Sequence, residues 1–386
     1  MISLFYFCSS FVLFLMLPFG MVDIIPYTPQ KGRASGSNDS GRFETLSHHP
    51  VDDGWSGTDD TDAFAPPKLR TEVVEEHAQK IITWNTSPDV PFDRSINPYR
   101  GCEHGCIYCF ARPSHSYQGL SAGLDFETKL FSKPDAAALL DAELRKPGYV
   151  PKTLQLGANT DPYQPIERKL EITRSVLKVL SDFNHPVTVT TKSDLVLRDL
   201  DILGPMADKG LAAVGLSVTT LENKLSRTME PRAPTPKKRL QAIRHLSDAG
   251  VPVRVMCAPI IPALNDWEME RILEAAAEHG ASGANYILLR LPHELTDLFR
   301  DWLLTNAPLK TNHVMSLMKQ THKGKLYMSG FGTRMMGSGK YADLIAKRYY
   351  LALKKTGLTG RTREEYALDC SQFIPPLSTS DQLALF

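Results

Sequence analysis

The chain has 386 residues, of which 42% are hydrophobic and 23% charged, and its formal net charge is +1 at pH 7. That balance excludes a disordered chain or a membrane chain, and the bulk charge names no partner. The length allows one large α/β domain with appendages, or two ordinary domains.

Residues 1–20 form an apolar run resembling the core of a signal peptide. No Lys or Arg precedes it, no small-x-small cleavage site follows, and it is short and broken by Pro18 for a spanning helix. The expectation is a translation start placed too early, with Met21 opening a cytoplasmic N-terminus and no membrane association. Residues 31–67 are rich in Gly, Ser, Asp and His and poor in aliphatics. They cannot bury enough apolar area to offset ordering entropy, so 1–80 reads as an extension ending in a mobile, disordered arm.

From 81 to 305 short β-branched or apolar runs alternate with helical segments, which is the pattern of repeated βα units and a parallel sheet. Strands are expected at 95–99, 153–156, 187–191, 212–218, 251–258 and 284–289. Between them, Leu170, Ile172, Val176, Leu177, Leu180 and Phe183 fall mostly on one helical face. Thr235 and Pro236 open a second helix, with Leu240, Ile243 and Leu246 inward and Gly250 as its stop. A third is expected over 266–280. Six such units imply an incomplete barrel or a strongly curved open sheet, with ligands at the carboxyl ends of the strands. From 306 to 386 a basic, mainly helical extension is expected: residues 310–363 hold twelve Lys or Arg and one acid, Asp343, interleaved with Tyr327, Phe331, Tyr341, Tyr349 and Tyr350.

Six cysteines occur, and Cys102, Cys106 and Cys109 crowd together while Cys8, Cys257 and Cys370 stand alone. A disulfide framework would spread them differently; clustered free thiols suit a reducing compartment and a metal or redox centre. The spacing C-x3-C-x2-C places three thiolates on one tight loop, each able to take one corner of an iron–sulfur cube and leave the fourth iron open to a small ligand. Gly101 and Gly105 let that loop wrap. The other reading is zinc held by the three cysteines with His104 or His115, although no second cysteine knuckle is present.

The loop Gly101-Cys102-Glu103-His104-Gly105-Cys106-Ile107-Tyr108-Cys109 resembles the radical S-adenosylmethionine superfamily, with an aromatic, Tyr108, before the last cysteine. The resemblance implies a [4Fe–4S] cluster on Cys102, Cys106 and Cys109, S-adenosylmethionine (SAM) on the open iron, and one-electron cleavage to a 5′-deoxyadenosyl radical. It also implies an α/β fold built as a partial (β/α)6 TIM-like barrel, and an electron donor such as flavodoxin or ferredoxin. Tyr108 then borders the cofactor, and Asn159, Thr160 and Asp161, after the second strand, hydrogen-bond its amino group, where the family more usually has Gly-Gly-Glu. The alternative for these three is a turn in which Asp161 caps a helix. Lys192 pairs with the cofactor carboxylate, or is simply exposed. Ser217 closes the fourth strand beside ribose or carboxylate. Glu230 and Arg232 fix ribose or carboxylate, or form a surface ion pair. Residues 259–266 border the adenine, or form an ordinary loop in which Asn265 and Asp266 cap the next helix.

Within the superfamily, Thr160-Asp161-Pro162-Tyr163 and the loop from Gly101 to Phe110 most resemble DNA-repair-photolyase-like proteins related to spore photoproduct lyase. That implies a damaged-pyrimidine substrate and lyase-like chemistry, and the basic, aromatic extension suits nucleic acid. The lyase's hydrogen-donating cysteine has no counterpart between Cys109 and Cys257. Radical modification of a peptide, tRNA or small metabolite, and a non-catalytic iron–sulfur binding or electron-transfer protein, remain open alternatives. Tyr108, Tyr117 and Tyr163 are the candidate radical relays.

Overall fold

The computed structural model describes residues 31–44, 69–360 and 368–377. Six parallel strands form the main sheet: β1 (Arg94–Ile96), β2 (Leu154–Leu156), β3 (Val187–Thr191), β4 (Ala212–Ser217), β5 (Val253–Ile260) and β6 (Gly283–Leu288). They are hydrogen-bonded in chain order, and Thr83–Trp84 pairs antiparallel on the far side of β1. Side chains from β2 through β6, among them Gln155, Thr188, Arg254 and Asn285, line one cavity of about 220 Å³. A flat sheet five strands wide would spread roughly 19 Å across. The sheet therefore curls around that cavity, and since β1 and β6 do not pair, it is an open partial barrel.

Helices α1 (Ala136–Leu144), α2 (Ile172–Asp182), α3 (Leu200–Asp208), α4 (Pro236–Asp248) and α5 (Met269–Glu278) follow in order as crossovers. Helix α2 buries Ile172, Val176, Leu177 and Leu180, as its periodicity requires. Removing a side chain of this kind from water contributes about 1.5–3 kcal/mol. At α4, Thr235 Oγ accepts from Lys238 N and Gly250, at φ +75°, ends the turn that follows. One detail of its face differs from the sequence reading: Arg239 is fully buried and Leu240 is only half-buried, because Arg239 has an internal partner, Glu230. The expected helix over 266–280 begins with a 3-10 turn, Asp266–Glu268, before α5.

Two expectations about the appendages need correction. Residues 31–44 are not a mobile arm: Arg33, Ala34 and Ser35 are buried, and Arg42 pairs with Glu294 at 2.8 Å. Composition misled because this segment is ordered by backbone and side-chain hydrogen bonds, not by apolar burial. The run 1–20, Met21 and residues 45–68 lie outside the described residues. The basic extension is not a separate body either. Helix α6 (Leu295–Asn306) spans the expected boundary at 305/306, and α7 (Thr311–Thr321) and α8 (Lys340–Thr356) follow it. Tyr349 donates to Ala284 O at 2.8 Å, Leu288 N donates to Met335 O at 2.8 Å, and Gly283 bridges Thr359, so the extension is sewn onto β6. Among the described residues no helix is long and apolar enough to cross a membrane.

Candidate cofactor site

The cysteine loop leaves β1 and turns twice through left-handed glycines, Gly101 at φ +72° and Gly105 at φ +63°. A Cβ on Gly105 would lie 2.6 Å from a Glu127 carboxylate oxygen, so both conformation and space require glycine there. Short bonds stitch the loop to its surroundings: Cys102 N to Phe126 O (2.9 Å), Glu103 N to Gln164 Oε1 (2.8 Å) and Ile107 N to Met229 O (2.9 Å). Cys102 and Cys106 are buried, Cys109 is half-buried, and all three are free thiols lining one cavity of about 190 Å³. Burial, with the nearby Asp161 and cysteine charges, pushes the Cys102 thiol well up; burial pushes Cys106 up to about 12, against the pull of Lys192. Thiols held this way stay protonated until a metal takes the proton's place.

The donor set suits a cluster better than a single ion. Among the described residues no three His, Cys, Asp or Glu side chains converge on one metal position. A tetrahedral zinc site needs such convergence, whereas in a cubane each thiolate binds a different iron. Of the two histidines of the zinc reading, His115 is engaged elsewhere, while His104 lines the same cavity as the cysteines. His115 is hydrogen-bonded at Nε2 to Lys129 O (2.8 Å) and packs edge-on against Phe126, and His104 Nδ1 lies 3.2 Å from Asp161 Oδ2, off the line of a hydrogen bond.

The strand ends bring most of the expected cofactor residues into the same cavity. Tyr108, Asn159, Thr160, Asp161, Lys192 and Ser217 all line it. Their roles differ from the sequence reading in one respect. The Asp161 carboxylate is occupied by the protein: it accepts from Thr191 Oγ1 (2.6 Å), Tyr163 N (2.9 Å) and Lys192 N (2.8 Å). Burial would raise this carboxyl, but the field of His104 and these hydrogen bonds hold it at about 2. Asp161 is thus an organiser of the β2 and β3 ends. Thr160 Oγ1 is likewise spent on Tyr99 O (2.9 Å), and Asn97 Oδ1 accepts from Asn159 N (2.8 Å), which leaves the Asn159 side chain to face the cavity.

Lys192 Nζ stands 5.7 Å from the centre of the Tyr108 ring. Burial works against its charge, but Cys106, Glu230 and Asp161 together outweigh it and raise the ammonium pKa. No side-chain acceptor is hydrogen-bonded to it among the described residues, so the cavity presents a charged donor to an incoming anion. Glu230 and Arg232 do not line the cavity. Glu230 pairs with Arg239 at 3.1 Å behind Cys106, and Arg232 pairs with Glu103 at 3.0 Å on the outer side of the loop. Of residues 259–266, only Pro259 reaches the lining.

Sequence reasoning passed over Arg290 and Phe110. Arg290 follows β6 with its guanidinium 4.3 Å from the Phe110 ring centre, and both side chains line this cavity and the barrel lumen below. The rule that found Lys192, a cation at a strand's carboxyl end, also applies to Arg290. Cys257 is fully buried in the core while its neighbours Met256 and Ala258 line the cavity. Tyr163 donates to Asp199 at 2.9 Å inside the core, and Tyr117 is exposed, so Tyr108 is the relay candidate in the cavity wall.

An open parallel barrel with three free thiols on the loop after its first strand, facing polar strand ends, defines the architecture of a cluster-bearing α/β enzyme. The family model described as Radical SAM superfamily matches residues 96–276, and the chain belongs to that superfamily. It is 34% identical over 265 residues to the uncharacterized protein Mb2609c of Mycobacterium bovis, covering 68% of this chain and 76% of that one. It is 30% identical over 199 residues to the uncharacterized protein MJ0683 of Methanocaldococcus jannaschii, covering 52% and 71%. Among solved structures, a spore photoproduct lyase variant superposes with a TM-score of 0.55 at 15% identity, covering 75% of this chain and 81% of that one. A variant of the same lyase with bound AdoMet and dinucleoside spore photoproduct gives 0.54 at 16%, with the same coverage. At these identities the likeness is one of fold. The family implies a [4Fe–4S] cluster and SAM, and the three thiols, Lys192, Asn159 and Ser217 fit them.

Proposed function

We propose that this enzyme directs radical chemistry at a nucleotide unit of damaged nucleic acid, in the manner of a photolyase-like lyase, from a cytoplasmic location and with flavodoxin or ferredoxin as electron source. The observation that carries the reading is the shared wall between the two cavities. Phe110, Met256, Ile287 and Arg290 line both the space below the cysteine loop and the barrel lumen, so a substrate in the lumen would adjoin the cofactor space. When bound, the cluster supplies one electron to the SAM sulfonium and so yields a 5′-deoxyadenosyl radical. The protein's share is positional. Lys192 and Ser217 hold the carboxylate end, Asn159 takes the amino group, and the apolar part of the mixed lumen wall, Val189, Val214, Met256 and Ile287, keeps water from a reactive centre.

Arg290 gives the lumen its chemical preference. Its guanidinium has no acceptor among the described residues, and burial together with the Arg334 charge bears against it. An anion beside an aromatic ring answers both Arg290 and Phe110, which a nucleotide's phosphate and base do. The superposition with spore photoproduct lyase supports the same substrate class. A second reading, a free small anionic metabolite, is favoured by the extension itself. Arg334, Arg348 and Lys355 are committed to Asp89, Glu270 and Glu274, leaving fewer cations for a polynucleotide.

The test is anaerobic turnover with dithionite and SAM, with and without ultraviolet-treated oligonucleotides. Release of 5′-deoxyadenosine with repair or alteration of the irradiated strand supports the proposal. Release without any change in the strand moves the substrate to a small molecule. No release at all leaves only a cluster-binding or electron-transfer protein.

A further inference from the structure

We infer that residues 33–35 form a strap that holds the cluster loop through a buried relay, Glu127 and Arg112, and that this pair positions the cluster. The inference rests on the cluster being bound at Cys102, Cys106 and Cys109.

Arg112 is fully buried, in the 3-10 helix just after Cys109. Its guanidinium donates to Cys106 O (2.8 Å), Gly105 O (2.9 Å), Ala122 O (3.0 Å) and Gly123 O (2.9 Å). Two of these carbonyls belong to the cluster loop and two to the segment opposite, so one planar cation fixes the loop from inside. Its counterion is Glu127, also fully buried, at 2.5 Å. Glu127 in turn has its two carboxylate oxygens capped by the strap: Ala34 N donates to Oε2 (3.2 Å) and Ser35 N to Oε1 (3.0 Å).

A second line runs beside the first. Arg33 donates to Glu127 O (2.7 Å) and to Thr71 Oγ1 (3.1 Å), and Thr71 donates to Glu103 of the cluster loop (2.5 Å). Glu103 is the acid paired with Arg232. The strap therefore reaches the loop at Gly105–Cys106 through Arg112 and at Glu103 through Thr71. Farther along, Asn38 Oδ1 accepts from Asp125 N (2.9 Å) and Asp39 O from Ser121 Oγ (2.5 Å), which seats the segment over the same surface.

A loop turning on two left-handed glycines has little stiffness of its own, and three thiolates must be held within a fraction of an ångström to share one cluster. A buried carboxylate deprived of its amide donors bears the cost of unmet hydrogen bonds, which loosens the Arg112–Glu127 pair and with it the loop that Arg112 holds. Coupling is reciprocal: if the strap stabilises the loaded loop, loading must stabilise the strap to the same extent.

Two measurements on the full chain test this. Hydrogen exchange of the Ala34 and Ser35 amides is expected to slow at least tenfold on anaerobic cluster loading. Arg33→Ala and Glu127→Gln are expected to bleach in air at least fivefold faster than wild type and to retain less iron, with unchanged far-ultraviolet circular dichroism. Arg174→Gln, which breaks a pair with Asp199 away from the loop, is the control and should bleach as wild type does. Exchange at 34 and 35 that ignores loading, or bleaching in the two variants no faster than in the control, overturns the inference. Failure of the wild type to load any iron–sulfur cluster would instead remove the family reading on which it stands.

Discussion

Arg239 and Glu230 form an ion pair of 3.1 Å in which neither side chain is more than 1% exposed, and Glu230 Oε2 lies 3.9 Å from Cys106 Sγ. The pair stands behind the cluster loop, with Arg239 also donating to Ser217 O at the end of β4 (3.3 Å). It ties a strand end to the loop without entering the cavity.

Breaking one side of that pair leaves a buried charge without compensation. Arg239→Met is expected to destabilise the protein by about 3–5 kcal/mol. The double substitution with Glu230→Leu should recover much of the loss, since removing both charges removes the desolvation cost. Urea unfolding of the two variants and the wild type checks both statements.

Asp161 makes stability depend on acid in a defined direction. Its carboxyl is held at about 2, below its ordinary range near 4. The folded state therefore gains stability that is fully present above pH 4 and is lost as the pH falls towards 2. The shift corresponds to about 2 kcal/mol. Asp161→Asn is expected to flatten the acid limb of a stability-against-pH curve between those values, with little change in its slope above pH 5.

Lys192 faces the cavity with its ammonium over the Tyr108 ring and no hydrogen-bonded side-chain acceptor among the described residues. Lys192→Met is expected to weaken SAM binding to the cluster-loaded protein roughly 10- to 100-fold, the range of one charge-assisted hydrogen bond. Iron content should be unchanged. Calorimetric titration with SAM reads the first effect and iron assay the second; equal loss of both would make Lys192 a structural residue.

Much of the barrel was legible because its signals are local. Runs such as 187–191 and 212–218 are bounded by turn residues, and β3 and β4 lie where those runs predict. The cysteine loop was legible for the same reason, since its three cysteines and two glycines fall within nine residues. What sequence could not reveal is where polar groups find partners far along the chain. Glu230 and Arg232 look alike beside Pro231, yet one turns inward to Arg239 and the other outward to Glu103. Asp161 reads as a cofactor contact or a turn cap, and nothing near it in sequence announces that Thr191 Oγ1 and Lys192 N come to it from the end of β3. The segment at 31–44 read as disordered because composition counts apolar area and is blind to a carboxylate such as Glu127 waiting for backbone donors.

The nucleic-acid proposal has its own salt signature. Lys323 and Lys325 are exposed and have no ion pair among the described residues, unlike Arg348 and Lys355. If they meet phosphates, replacing both with Gln should weaken oligonucleotide binding and reduce the slope of log affinity against log salt by about 0.7 for each phosphate of a single strand that is no longer neutralised. Replacing Lys355 should leave the slope unchanged. Fluorescence anisotropy at several salt concentrations makes the comparison.

The most direct test of the cluster assignment is anaerobic reconstitution of wild type and Cys102→Ala with iron and sulfide, followed by dithionite reduction and SAM. The expected wild-type result is about four irons per chain, a paramagnetic signal that changes when SAM is added, and release of 5′-deoxyadenosine, with the last two abolished in Cys102→Ala. A wild type that takes up zinc in place of iron, or a Cys102→Ala protein that still cleaves SAM, would contradict it.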